Sequence, residues 1–362
     1  MTQNIIADIV TKARQAQKIY EKYSQDQIDM VVTAVAWAIC NPKNNEKLSK
    51  FAVSSTGLGK IEDKIIKNRR KTLGLLRDLK KAKTVGIVTE DKIKGIIEIA
   101  KPVGVIGAIT PSTNPVATPM NNILNALKCG NAIIVSPSPA GLKVFNMLLN
   151  FIHEELVKLN APLDLVQAVP DPVTKDLTKE LMKQVDLVIV TGSQNNVREA
   201  YSSGTPAIGV GAGNATVIVD ETCNLQEAAA KIKASKIFDN STSCSSENNL
   251  VIVNSIYDQF VKELQNIGGL LLNSDEKKYL QQRTAKGIWY KLYEFPLVEA
   301  NHTLKKPNQK FNEVIQRFTK DPFVVRQMAP PQLHKLSHQH IEISFWEVKL
   351  TDIRIDGYDW EQ

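Results

Sequence analysis

Between residues 103 and 219, short runs of β-branched and apolar residues alternate with longer stretches of helical periodicity, and that alternation leaves few folds open. The strand-like runs are Val103–Ile109, Ala132–Val135, Leu165–Val169, Leu187–Val190 and Thr216–Val219. Between them lie the helical stretches Val116–Leu127, Leu142–Leu159, Thr174–Lys183 and Asn195–Ser202. Parallel strands need a crossover longer than any hairpin, and a helix is the usual one. The pattern therefore predicts an α/β fold whose parallel sheet is covered on both faces. Ahead of it, Ile5, Ile9, Ala13, Ala16, Ile19 and Tyr20 recur at helical spacing, and Ile28–Ile39 is a second apolar-faced run, so residues 1–80 read as helical.

Sheets of this kind bind ligands at the carboxyl ends of their strands. Those ends carry Thr110-Pro111-Ser112, Ser136-Pro137-Ser138-Pro139 and Thr191-Gly192-Ser193. Small hydroxyl residues there suit a nucleotide crevice. A second unit begins near Asp220, with an amphipathic helix over Leu225–Phe238, a polar turn over Asn240–Ser246, a strand over Leu250–Val253 and a helix over Ile256–Ile267. The polar turn holds Cys244, an accessible thiol among hydrogen-bonding neighbours. By residue type and loop context alone, a reactive thiol and an idle surface thiol are equally good readings of it. Cys40, on an apolar helix face, and Cys129, at a helix end, read as buried packing residues.

Charge and cysteine spacing exclude several classes. The formal charge is +7, but the basic residues are scattered. The densest cluster, Lys64 to Lys83, has no interleaved aromatics, so no nucleic-acid partner is expected. It reads as a solvated helix face, ahead of a positive surface for anionic substrates. The four cysteines form no CxxC pair, and His334, His338 and His340 follow no defensible ligand spacing; neither a disulfide framework nor a metal site is expected. No apolar run is long enough for a membrane span, and Met1–Ile5 lacks the order of a secretory signal, so a cytoplasmic protein without membrane contact is expected.

Several ordered strings carry a resemblance. Phe238-Asp239-Asn240-Ser241-Thr242-Ser243-Cys244-Ser245-Ser246-Glu247-Asn248 resembles the nucleophile segment of the coenzyme-A-acylating branch of the aldehyde dehydrogenase superfamily. Lys101–Pro115 resembles that family's first cofactor strand and its asparagine, here Asn114. Asn125–Ala132, Thr191-Gly192-Ser193 and Gly209–Asn214 follow in family order. Thr191–Arg198 and Thr242–Asn248 are most similar to the members that act on sulfoacetaldehyde. The resemblance covers roughly residues 1–282. It implies a parallel Rossmann-type sheet plus a second α/β catalytic domain, here incomplete. It also implies a homo-oligomer and a reaction of aldehyde, coenzyme A and NAD(P)+ that gives acyl-CoA and NAD(P)H. The implied catalytic residues are Cys244 and Asn114. Thr110, Pro111, Ser112, Ser136, Ser138, Thr191, Gly192, Ser193 and Gly211 would line the cofactor. No acidic residue follows Ser136 to repel a 2′-phosphate, so NADP is permitted beside NAD, with Lys143 a phosphate partner or an exposed helix lysine. Hydrolytic relatives place a general-base glutamate where this chain has Gly209-Val210-Gly211-Ala212-Gly213-Asn214, which contains no carboxylate; the glycines are either turn positions with positive φ or neighbours of the cofactor.

The resemblance ends near Gln282. Residues 284–362 hold three of the four tryptophans and four of the five histidines, and no strand–helix alternation continues there. The expected organisation is therefore a cofactor domain with N-terminal helices over 1–218, the start of a catalytic domain over 219–283, and an atypical tail over 284–362 that is either a frameshift product or a divergent domain. Three readings stay open: an acylating dehydrogenase, a truncated pseudoenzyme of the same fold, and a hydrolytic or phosphate-reducing relative.

Overall fold

Four helices open the chain: α1 (Thr2–Tyr20), α2 (Gln25–Cys40), α3 (Pro42–Thr56) and α4 (Ile61–Leu79). Their limits follow from local chemistry. Ser24 and Gln27 form a reciprocal capping box at the start of α2, and Asn41 caps α3 with Pro42 in its first turn. The computed structural model describes residues 2–211 and 213–269 and, beyond them, chiefly six short strands. It divides into two units, Met1–Leu270 and Leu271–Gln362.

In the first unit an antiparallel hairpin, β1 (Gly86–Asp91) and β2 (Ile96–Ala100), precedes the sheet. It has no counterpart in the sequence reading, because it buries neither face: Ile87, Val88, Ile96, Ile97 and Ile99 are all exposed. The sheet follows as expected in kind, except that the expected strand Thr216–Val219 is not part of it and pairs elsewhere. Strands β3 (Val105–Thr110), β4 (Ala132–Pro137), β5 (Val166–Ala168), β6 (Leu187–Thr191) and β7 (Ala207–Val210) are parallel and ordered β5-β4-β3-β6-β7. Helices α5 (Ala117–Lys128), α6 (Leu142–Lys158), α7 (Lys175–Gln184) and α8 (Gln194–Tyr201) link successive strands. Every residue of β3 and β4 is buried, which is why both read as unbroken apolar runs. The winding reverses between β3 and β6, so a crevice opens beyond the carboxyl ends of these two strands. Strand β7 is the second element missing from the sequence reading: it is four residues long and contains Gly209, and the expected turn over Gly209–Asn214 starts two residues too early.

A fork from α1 fixes the entry to β3. Arg14 donates to both carboxylate oxygens of Asp186, at 2.7 and 2.9 Å, and Asp186 in turn accepts from the Val105 N–H at 2.8 Å. Gly104 makes this possible. Its φ is +123°, and a Cβ there would lie 2.3 Å from the Asp186 carboxylate.

The last part of the unit pairs β8 (Ala215–Val219) in parallel with β9 (Glu247–Ile252), with α9 (Leu225–Ile237) and α10 (Tyr257–Asn266) beside them. Its core is small: Val219, Ala229 and Phe260 are its buried apolar residues, whereas Ile218 is 75% and Val251 53% exposed. Among the described residues, no helix is long and apolar enough to cross a membrane. In the second unit, Val324–Gln327 pairs antiparallel with Trp346–Lys349, and Gln332–Lys335 with His340–Ile343. Most of the tail expected over 284–362 lies outside the described residues.

Two glycine substitutions check this account. Gly104→Ala combines a strained φ with a clash against a fixed carboxylate, and is expected to destabilise by about 2 kcal/mol or more. Gly74→Ala, inside α4 with open space around the new methyl, is expected to stabilise by about 0.5–1 kcal/mol. Urea unfolding of the two variants beside the parent reads both shifts.

Candidate functional site

Helix α4 does not lie on the surface as a solvated basic face. Lys64 and Lys67 are each only 4% exposed, although Arg69, Arg70 and Lys71 do face solvent, and this corrects the reading of the cluster. The two lysines turn inward onto Asp239, whose side chain has no exposure. Lys64 Nζ lies 3.2 Å from Asp239 Oδ2, and Lys67 Nζ donates to the same oxygen. The other oxygen, Oδ1, accepts from the Lys60 N–H at 2.9 Å. Lys60 is the N-cap of α4 and offers no side-chain cap of its own, so the Asp239 carboxylate takes up a helix-end N–H at the positive pole of the helix. Burial alone would push this carboxyl up, but the bonds from Lys67, Lys60 and Thr242 outweigh it and hold its pKa below the ordinary 3.8. Burial lowers Lys64, with Asp239 opposing.

The same ammonium groups reach a second segment. Lys67 Nζ donates to Asn114 Oδ1 at 2.8 Å, and Lys64 Nζ lies 3.4 Å from the Thr113 carbonyl. Asn114 sits between β3 and α5, just past the end of the strand that borders the crevice. Its amide Nδ2 donates to none of the described residues.

Asp239 also holds the loop that carries Cys244. Asp239, Asn240 and Ser241 have φ of 51°, 52° and 58°, the left-handed region that non-glycine residues avoid. Side-chain bonds stabilise this bend. The Asp239 N–H donates to Asp63 Oδ2 at 2.8 Å, Asn240 Nδ2 reaches the Gly59 carbonyl at 3.4 Å, and Thr242 Oγ1 lies 2.8 Å from both the carbonyl and the carboxylate of Asp239. Gly59 leaves the room: a Cβ there would lie 2.0 Å from Asp239 Oδ1. Beyond Thr242 the chain turns, with the Ser246 N–H on the Ser243 carbonyl, and Cys244 stands exposed on that turn. The Cys244 N–H donates to none of the described residues. Cys40 is half-buried, and burial raises its thiol pKa. Cys129 is exposed rather than buried, because it lies past the last turn of α5 and not on its inner face.

The expected cofactor residues fall at the crevice with different degrees of freedom. Thr110 Oγ1 and Ser138 Oγ are buried and have no partner among the described residues, and the Ser138 N–H donates to the Thr110 carbonyl, so the two lie side by side. Ser136 is buried and engaged: Thr178 gives its proton to the Thr174 carbonyl, so the Ser136 hydroxyl donates to Thr178. Ser193 caps α8 through the Asn196 N–H. Pro111, Ser112, Thr191 and Gly192 are half-buried at the strand ends. Gly209, Gly211 and Gly213 do not have positive φ; they are glycines for want of space. A Cβ on Gly211 would lie 2.5 Å from Gln194 Nε2, and one on Gly213 would lie 3.1 Å from the Cys244 carbonyl. The segment after β7 is thereby packed against the nucleophile loop. Lys143 and Arg198 are exposed. Sequence reasoning missed Lys64, Lys67 and Asp239. A signal was present, since Lys64, Lys67, Asn68 and Thr72 follow at helical spacing on one face, and that face is the buried one.

Residues 1–267 match the family described as Aldehyde dehydrogenase family, and residues 268–361 match the NUDIX domain. The chain is 55% identical over 276 residues to a sulfoacetaldehyde dehydrogenase (acylating) of Cupriavidus necator, which covers 76% of this chain and 56% of that protein. In structure it is similar to an acetylating aldehyde dehydrogenase of Geobacillus thermoglucosidasius, with a TM-score of 0.72 and 38% identity over 76% of this chain and 61% of the other. It is also similar to a propionaldehyde dehydrogenase of Rhodopseudomonas palustris with bound propionyl-CoA, at a TM-score of 0.65 and 33% identity, covering 72% and 57%. The chain thus spans somewhat over half the length of the relatives it matches.

The buried carboxylate makes a pH prediction. Its folded pKa lies below the ordinary 3.8, so its contribution to stability is full above that value and is lost as pH falls through the lowered one. Asp239→Asn is expected to cost about 3–5 kcal/mol near neutrality and to flatten the acid limb of the stability curve. Urea unfolding between pH 3 and pH 7 checks both; an unchanged acid limb would remove Asp239 from this role.

Proposed function

Because the chain belongs to the aldehyde dehydrogenase family, we propose that its first 267 residues serve the acylating oxidation of an aldehyde through a thioester on Cys244. The observation that carries the reading is the close approach of Gly213, in the carboxylate-free Gly209–Asn214 stretch, to the Cys244 carbonyl. The Cys244 sulfur, as thiolate, adds to the aldehyde carbon, and the carbonyl electron pair moves to oxygen. Two donors without partners among the described residues suit that oxyanion: the Asn114 amide and the Cys244 N–H. When bound, NAD(P)+ accepts the hydride that leaves this carbon as the carbonyl re-forms. Thr110 Oγ1 and Ser138 Oγ, buried and without partners among the described residues, fit a nucleotide, whereas the space beside Gly211 is filled by the Gln194 side chain. The Gly209–Asn214 stretch carries no carboxylate to serve as general base, so water is poorly activated. A coenzyme A thiolate adds to the thioester carbonyl instead and expels the Cys244 thiolate. The sum is aldehyde, coenzyme A and NAD(P)+ giving acyl-CoA, NAD(P)H and a proton. Sulfoacetaldehyde is the proposed aldehyde, supported by the similarity to the Cupriavidus enzyme, with the exposed Arg198 as a candidate sulfonate partner.

The test uses the full chain. NAD(P)H formation from sulfoacetaldehyde is expected to need coenzyme A, to vanish in Cys244→Ala and to persist in Cys40→Ala. Without coenzyme A, at most one equivalent per chain should form. Rapid release of free acid without coenzyme A would overturn the acylating reading, and equal kcat/KM for acetaldehyde would remove the sulfonate preference alone. Failure of the intact chain to form that first equivalent would favour the pseudoenzyme reading, for which the bare face of Ile218 and Val251 is the structural argument.

For residues 268–361 we propose a domain in its own right, similar to the NUDIX domain, in place of the frameshift reading. The family match and the antiparallel strand pairs support it. Limited proteolysis of the full chain is expected to cut first near residue 270 and leave two resistant fragments; a tail degraded throughout would contradict the proposal.

A further inference from the structure

We propose that Lys67 is the positioning residue of the acyl-transfer site, the group that decides which end of the Asn114 amide is offered to the reacting carbonyl. The proposal rests on the reading of Cys244 and Asn114 given above. An asparagine amide has two ends of nearly equal shape, one accepting and one donating. An ammonium can only donate. With Lys67 Nζ 2.8 Å from it, the near end of Asn114 must be the oxygen, and the NH2 end is turned away from the lysine. The orientation needed for an oxyanion donor is thus imposed by charge rather than by shape.

Lys67 is itself held. It is 4% exposed, and its second bond goes to Asp239, which the Lys60 N–H, Lys64 and Thr242 also grip. Asp239 lies five residues before Cys244, so a single buried carboxylate references both the donor and the nucleophile loop to the start of α4. Two lysines share that carboxylate. The ammonium on Asn114 Oδ1 draws electron density from the amide, which makes the far N–H groups stronger donors in a buried setting. Lys67 touches neither substrate nor cofactor in this scheme; it acts through Asn114.

The experiment separates a reaction that builds an oxyanion from one that does not. In the first, the Cys244 sulfur adds to the carbonyl of p-nitrophenyl acetate, an S–C bond forms, the C–O bond to nitrophenolate breaks, and the released nitrophenolate is read by absorbance. In the second, iodoacetamide alkylates the same sulfur by direct displacement of iodide, read by mass on the Cys244 peptide. Lys67→Met leaves Asp239 paired with Lys64, Lys60 and Thr242, so the fold should survive, as a cooperative thermal transition would show. Acetylation of this variant is expected to slow by about 10- to 100-fold while alkylation is unchanged. Lys67→Arg, which keeps a purely donating cation, should recover most of the loss. In an Asn114→Ala background, Lys67→Met should add nothing. Should Lys67→Met lose its cooperative transition, Lys67→Gln gives the same reading, because its amide can turn either end to Asn114 and no longer dictates the orientation. Wild-type acetylation in the Lys67 variants, an equal fall in both reactions, or losses that multiply in the double variant would each overturn the proposal and leave the Cys244 assignment standing. No Cys244-dependent nitrophenolate from the unmodified chain would overturn both.

Discussion

The buried carboxylate of Asp239 is the constraint on which the arrangement around Cys244 depends. It stands where three pieces of chain meet: the start of α4, the Thr113–Asn114 segment past β3, and the bend that leads to Cys244. A carboxylate removed from water needs several donors; here they are the Lys60 N–H, the Thr242 hydroxyl and the ammonium groups of Lys64 and Lys67, which also donate to the Thr113–Asn114 segment. Losing one piece would leave the others with an unsatisfied charge. The three are therefore present together or not at all, and this makes the geometry cooperative. The left-handed run of Asp239, Asn240 and Ser241 fits the same logic, since such a run persists only where its surroundings over-determine it.

Space is the second constraint, and glycines set it. At Gly59 the missing side chain admits the carboxylate to the end of α4, and at Gly213 it lets the segment after β7 approach the Cys244 turn. The glycines after β7 were open to two sequence readings, as turn positions with positive φ or as neighbours of a ligand. Their backbone excludes the first. Even a methyl is tight at all three of these glycines, so a glutamate could replace none of them without a shift of Val197, Gln194 or the Cys244 turn.

What was legible in the sequence was what repeats. The buried strands β3 and β4 and the helices between them announce themselves through unbroken apolar runs and 3.6-residue periodicity. The hairpin at residues 86–100 was not legible, because a strand with neither face buried shows no alternation; β7 was hidden by its shortness and its glycine. Cys244 and Asn114 were found through ordered strings and not through periodicity. Lys64 and Lys67 were misread because lysine is normally a surface residue, and only a partner distant in sequence explains its burial. That partner, Asp239, is 175 residues from Lys64, a distance that no local pattern spans.

The nucleophile loop sits on a unit that has little core of its own. Beside the three buried apolar residues Val219, Ala229 and Phe260, the pair β8–β9 leaves Ile218 and Val251 in the open, so its sheet offers few contacts with which to fix a catalytic group. The larger core, built from the helices α1 to α3 and α5 to α8 and the five-stranded sheet, is continuous. A loop placed only by β9 would inherit the looseness of that small core, and a displacement of about 1 Å at a reacting atom can cost on the order of a hundredfold in rate. Asp239 changes this, because its partners Lys60, Lys64 and Lys67 belong to α4, which packs on α2, α3 and α5 of the larger core. The position of Cys244 relative to Asn114 is thus referred to the well-packed part of the molecule, and the weak sheet has only to carry the loop away from the site.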